Sequence, residues 1–155
     1  QPATLVFCST RESVRRLHAS LQERGFEVVA LSGELSQGER MHALQSFGRW
    51  MQVNGEAIFA TRAVAPYRDG KVAFTRKGKT VCAIYLADEG EGLPQSVSFA
   101  GPAPKAGSPV RLLGFEPALK WHSDSGRTVV DIPAAARAKP PCLHAFVVTF
   151  EAEGL

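Results

Sequence analysis

The sequence predicts an α+β chain, with a small N-terminal β-α-β-α(-β) layer of parallel strands joined to a C-terminal antiparallel β-sandwich. Two observations carry this. Up to Phe47, apolar β-branched runs alternate with capped amphipathic segments, the pattern of βαβ units. After Tyr67, seven short apolar runs are separated by Gly, Pro, Asp and Ser, the pattern of a sandwich or open barrel. The expected division is residues 1–64 and 65–155.

In the first part, Ala3 to Cys8 (ATLVFC) reads as a strand buried on both faces. Ser9-Thr10-Arg11-Glu12 has the form of a capping box, in which Ser caps the helix and Glu reaches back. The helix it opens places Val14, Leu17 and Leu21 on one face, and Gly25 supplies its left-handed stop. Phe26 to Leu31 (FEVVAL) reads as a second strand. Ser36-Gln37-Gly38-Glu39 is a second capping box, followed by Met41, Leu44, Phe47 and Met51 at helical spacing. Ala57 to Ala60 (AIFA) is expected to be a third parallel strand, entered through an Asn54-Gly55 turn.

In the second part, the expected strands are Val72 to Thr75, Thr80 to Leu86, Gln95 to Phe99, Val110 to Leu113, Leu119 to His122, Thr128 to Ile132 and Ala145 to Phe150. Asp124-Ser125-Gly126 is expected to be a hairpin loop of three or more residues. Pro133 to Pro141 reads as a surface connection.

Composition narrows the function classes. The 155 residues carry a net charge of +3, spread evenly, which does not argue for a nucleic-acid partner. Cys8, Cys82 and Cys142 are an odd, sparse set, pointing to a reducing, cytoplasmic setting rather than a disulfide framework. No apolar run is long enough to span a bilayer. Cys142 and His144 lack a second ligand pair at zinc-site spacing, so neither metal nor cofactor is expected.

Leu5 to Arg11 (LVFCSTR) and Ala30 to Arg40 (ALSGELSQGER) resemble the second RecA-like domain of DEAD-box RNA helicases. The resemblance implies that Thr10, Arg11, Gly33, Gln37 and Arg40 approach an RNA backbone. Capping and turn chemistry account for the Ser and Gly positions without a ligand. The phosphate loop of such motors is missing. Ala60-Thr61-Arg62 has Arg where that family has Asp, so ATP hydrolysis is not expected.

Gly48 to Arg62 (GRWMQVNGEAIFATR), Val72 to Leu86, Val110 to Pro133 and Pro140 to Phe150 resemble the C-terminal region of retaining α-L-fucosidases. The resemblance implies a β-sandwich that follows the last helix of a catalytic barrel, with the catalytic carboxylates upstream of this region. Glu56 with Asp69, or Glu89 with Glu91, read as solvated turn carboxylates rather than a hydrolytic pair. Trp50 and Trp121 are candidates for sugar stacking, against the simpler reading that each fills a core or junction.

The expectation is therefore a non-catalytic chimeric scaffold, engineered or recombined, with its seam near Ser46 to Gly48 and no evolved ligand. The alternative is a binding module for glycans through the sandwich, or weakly for RNA through the helix N-termini. The unblunted edge at Ala3 to Cys8, and helix faces expected to pack on the sandwich or on a second copy, point to a homodimer.

Overall fold

The computed structural model describes residues 10–23, 36–88 and 90–154, which fall into two compact units divided between Arg49 and Trp50. The expected parallel strands Ala3 to Cys8 and Phe26 to Leu31 lie outside the described residues.

In the first unit, α1 spans Arg11–Glu23. Its cap is Thr10, whose Oγ1 accepts the Ser13 N–H at 3.1 Å, one residue later than the sequence pattern implies. Val14, Leu17 and Leu21 are half-buried, and Arg16 Nε donates to Glu12 Oε1 at 2.9 Å on the exposed side. The second helix, α2, spans Gln37–Asn54 and so continues past the unit boundary. Ser36 stands at its cap position, and the Arg40 N–H bonds the Ser36 carbonyl at 3.1 Å. Met41, Leu44 and Phe47 keep 48%, 53% and 49% of their surface exposed.

The expected strand Ala57 to Ala60 does not form. A 3-10 turn occupies Gly55–Ala57, and residues 58–60 are turn. Four apolar residues fit a buried turn as well as a strand, and Ala57 is fully buried here.

The second unit is a two-sheet sandwich. Its strands are β1 (Arg62–Asp69), β2 (Val72–Lys77), β3 (Thr80–Leu86), β4 (Ser96–Phe99), β5 (Val110–Leu112), β6 (Phe115–Leu119), β7 (Trp121–Asp124), β8 (Arg127–Asp131) and β9 (Ala145–Glu151), with a short helix α3 at Ala134–Ala138. The larger sheet has the order β1-β2-β3-β9-β5-β6, the smaller β4-β8-β7. Every strand pair among the described residues is antiparallel.

Alternation places the core. Val72, Phe74, Val81, Ala83, Phe146, Val148, Phe150, Val110 and Leu112 face inward from the larger sheet and are buried. Val97, Phe99 and Val130 meet them from the smaller sheet. Phe99 lies edge-on to Phe74 (centroids 5.3 Å) and stacked on Phe150 (5.9 Å), so one aromatic trio joins the two sheets. The outer face of the larger sheet carries a second apolar cluster of Ala73, Cys82, Ile84 and Val147, against which Ala57, Trp50 and Ile58 pack.

Within the sandwich, three further sequence expectations change. β1 was not anticipated, and it carries a register irregularity between Ala63 and Arg68, with Tyr67 at φ +67°. The expected single strand Leu119 to His122 is the meeting of β6 and β7, which belong to different sheets and change over at Lys120. The loop at Asp124-Ser125-Gly126 has only two residues, since Asp124 pairs with Arg127. Ser125 (φ +50°) and Gly126 (φ +78°) are both left-handed, which matches the right-handed twist of the flanking strands.

Candidate functional site

The segment Trp50 to Ala57 is anchored by a polar network. Asn54 is fully buried at the last position of α2. Its Nδ2 donates to the Trp50 carbonyl at 3.1 Å and to Cys142 Sγ at 3.4 Å. Cys142 Sγ donates in turn to the Ala145 carbonyl at 3.0 Å, which also accepts Trp50 Nε1 at 3.0 Å. The last helical turn is thereby tied to the start of β9. Burial pushes the Cys142 thiol above its ordinary range, so it is a neutral hydrogen-bonding group rather than a nucleophilic thiolate. Asn54 Oδ1 is buried with no partner. The neighbouring Gly114 (φ +79°) closes the site, because a Cβ there would fall 2.5 Å from Pro141 Cβ and 2.8 Å from Val53 Cγ1.

The carboxylates near the sandwich rim are committed to ion pairs. Asp69 Oδ2 accepts the Ala100 N–H at 2.9 Å and Arg127 Nη2 at 2.6 Å, tying the end of β1 to the smaller sheet. The Ala100 N–H, then Arg127, holds its carboxyl below the usual range. Glu91 accepts Lys71 Nζ at 2.7 Å, Tyr85 Oη at 2.6 Å and the Asp88 N–H at 2.8 Å. Lys71 first, then Tyr85, lowers the Glu91 carboxyl to about 2. Burial first, and then the bond to Glu91, pushes the Tyr85 phenol up to about 12. Lys71 also pairs with Asp88, and these two bonds raise its ammonium above its ordinary range.

Glu56 lies elsewhere, on a recess of about 110 Å³ that it lines with Lys77, Thr80, Cys82 and Thr149. Lys77 and Val72 are the two ends of β2, and Asp69 pairs with Val72. At about 3.3 Å per residue, those ends are roughly 17 Å apart. A retaining pair needs its carboxyls about 5 Å apart. Glu89 lies outside the described residues.

Of the residues singled out by the helicase-like motifs, Thr10 is the exposed cap of α1, while Gln37 opens α2 and is exposed, as is Arg40 one turn later. Arg11 is the first residue of α1, its side chain not among those described, and Gly33 lies outside the described residues. Trp50 packs on the outer face of the larger sheet, while Trp121 packs against the core on its inner face. The two rings therefore do not form one stacking platform. Among the described residues no group of three metal-ligating side chains converges, and no helix is long and apolar enough to cross a membrane. The Lys71–Tyr85–Glu91 and Asp69–Arg127 groups escape sequence reading. Their partners are up to 58 positions apart, and only the strand register brings them together.

Comparison with known proteins finds two kinds of similarity along the chain. Residues 1–65 match the family model described as the helicase conserved C-terminal domain. The chain is 36% identical over 109 residues, 68% of its length, to the alpha-L-fucosidase of Branchiostoma floridae, of which it covers 24%. It is 27% identical over 112 residues to the tissue alpha-L-fucosidase of Homo sapiens, covering 68% of this chain and 23% of that one. Among solved structures, the alpha-fucosidase of Thermotoga maritima in complex with a mechanism-based inhibitor superposes with a TM-score of 0.58 at 20% identity, over 77% of this chain and 28% of that one. Alpha-L-fucosidase isoenzyme 1 from Paenibacillus thiaminolyticus gives 0.56 at 24% identity, over 78% and 28%. At those identities the structural likeness shows the fold alone. The chain spans about a quarter of the length of the curated relatives it matches. It thus joins a stretch matching the helicase conserved C-terminal domain to a stretch similar in sequence and fold to part of the α-L-fucosidases.

Proposed function

We propose that this chain is a non-catalytic chimeric scaffold, engineered or recombined, whose sandwich serves to grip the end of the helix that precedes it. The observation that supports this reading is the state of the rim carboxylates. Retaining glycoside hydrolysis needs one carboxyl held protonated near neutrality and a second, ionised one about 5 Å away. Asp69 is held ionised by the Ala100 N–H and Arg127, and Glu91 by Lys71 and Tyr85, the opposite of what a general acid requires. Glu56, at the far end of β2 from Asp69, is not placed to pair with it. Trp50 Nε1, by contrast, is spent on the Ala145 carbonyl at the start of β9, and Asn54 Nδ2 on the Trp50 carbonyl and Cys142 Sγ.

The test is turnover by the whole chain, with an aryl α-L-fucoside in one assay and ATP in another. Rates equal to the enzyme-free control are expected in both. Fucoside cleavage that disappears on Glu56→Gln or Asp69→Asn would sink the reading.

A further inference from the structure

The outer face of the larger sheet is covered on one side by Trp50, Ala57 and Ile58. The recess of about 110 Å³ shares Cys82 with this cluster and is lined also by Glu56, the residue before Ala57. Strand register explains its lining. Thr80 and Cys82 are two apart on β3 and so share a face; Lys77 lies opposite Thr80 on β2, and Thr149 lies opposite Cys82 on β9. Cys82 and Thr149 form a floor that is 2% and 8% exposed. Lys77, Thr80 and Glu56 are exposed at the mouth. Burial pushes the Cys82 thiol up, which keeps the floor uncharged.

We propose that this recess binds the vicinal-diol edge of a small polyol or sugar. Each hydroxyl of a diol donates one hydrogen bond and accepts others. The recess presents the complement on a single face: a carboxylate that only accepts, an ammonium that only donates, and two threonine hydroxyls that do both. A simple anion entering it would meet Glu56, and a simple cation would meet Lys77. At about 110 Å³ the space is roomy enough for more than one water, and so for two adjacent hydroxyls and their carbons. It is well short of the roughly 300 Å³ of a drug-sized site, which sets the expected affinity in the millimolar range. The proposal is independent of the non-catalytic reading: a chain that turns nothing over can still bind, and turnover elsewhere would leave the recess as it is.

The experiment is an amide-resolved NMR titration of the full chain with 1,2-propanediol and D-xylose, using 1,3-propanediol and glycine as controls. Saturable shifts at Thr80, Cys82 and Thr149 are expected with the first two ligands and not with the controls. Losing one hydrogen bond weakens binding by about 3- to 10-fold, so Lys77→Met and Thr149→Val should each do so. Lys77 is exposed and its variant keeps the fold interpretable if the buried one does not. No saturable shift with 1,2-propanediol, equal shifts with 1,3-propanediol or glycine, or unchanged affinity in Lys77→Met would each overturn the proposal.

Discussion

Replacing Asn54 by Asp exchanges the Nδ2 donor for an oxygen while keeping the shape of the side chain. Nδ2 now donates to the Trp50 carbonyl and to Cys142 Sγ, and Asn54 is fully buried. An ionised carboxylate in that position would face the Trp50 carbonyl with no donor to offer it and no cation beside it in this network. The protonated acid could still donate an O–H. The folded state therefore raises the pKa of the new carboxyl above its unfolded value of about 3.9. A raised folded pKa means stability is retained below the unfolded pKa and lost as pH rises toward the folded one. The slope is about 1.36 kcal/mol per pH unit over that window. If the folded carboxyl stays neutral to pH 7, Asn54→Asp costs about 4 kcal/mol there relative to pH 3, out of a typical 5–15 for a domain. Urea denaturation at pH 4, 5.5 and 7 measures it. The variant should approach the parent at the acid end and fall progressively below it. A pH-independent difference of less than about 1 kcal/mol would refute the assignment of Asn54 as the buried donor that holds α2 to the sheet.

Glu91 should titrate near 2 by NMR, and its contribution to stability, present above the unfolded carboxyl range, should be lost as pH falls through the folded value; a midpoint near 4.5 would remove the Lys71–Tyr85–Glu91 latch. Tyr85→Phe should abolish the phenol titration near 12 and raise the Glu91 midpoint, both readable by spectroscopic titration. Gly114 and Gly107 share φ +79°, but only Gly114 is crowded. Gly114→Ala should cost about 2 kcal/mol more than Gly107→Ala in urea denaturation, and equal costs would show that Val53 and Pro141 yield freely. The proposed homodimer should give a light-scattering mass near twice 16.7 kDa at micromolar concentration; the monomer mass throughout that range would dismiss it.

Much of the sandwich is legible because its strands are half-buried and alternate. Thr80 to Leu86 and Ala145 to Phe150 carry enough β-branched and aromatic residues to be read directly, with the C-terminal bound off by one. β1 is illegible for a definite reason. Arg62-Ala63-Val64-Ala65-Pro66-Tyr67 has one buried residue, Val64, a proline, and a bulge, so no period of two survives. Lys120 hides a change of sheet that local pattern cannot register, because the residues on each side are still extended. The candidate site divides the same way. Trp50 and Asn54 stand out in the sequence as a motif, but their partners Cys142 and Ala145 are 88 and 95 positions away, and nothing local announces the pairing. The recess is a product of register alone, since Thr80, Cys82 and Thr149 are unremarkable until β3 and β9 are set side by side.

The place of β9 in the larger sheet bears on how the chain comes to be folded. It lies between β3 and β5, pairing Leu86 with Ala145 and Thr80 with Glu151. Any fragment ending before Ala145 leaves two neighbouring strands with bare inner edges, and the Phe74–Phe99 contact without the Phe150 ring that backs it. During synthesis the first hairpins can zip as they emerge, but the sheet cannot close until the strand made last inserts between two made earlier. Partners roughly 60–70 residues apart make that a slow step, paid in loop entropy before any packing rewards it. Until it happens the nascent chain presents open strand edges to its surroundings, so a ribosome-bound chain paused just short of Ala145 is the species most in need of a chaperone.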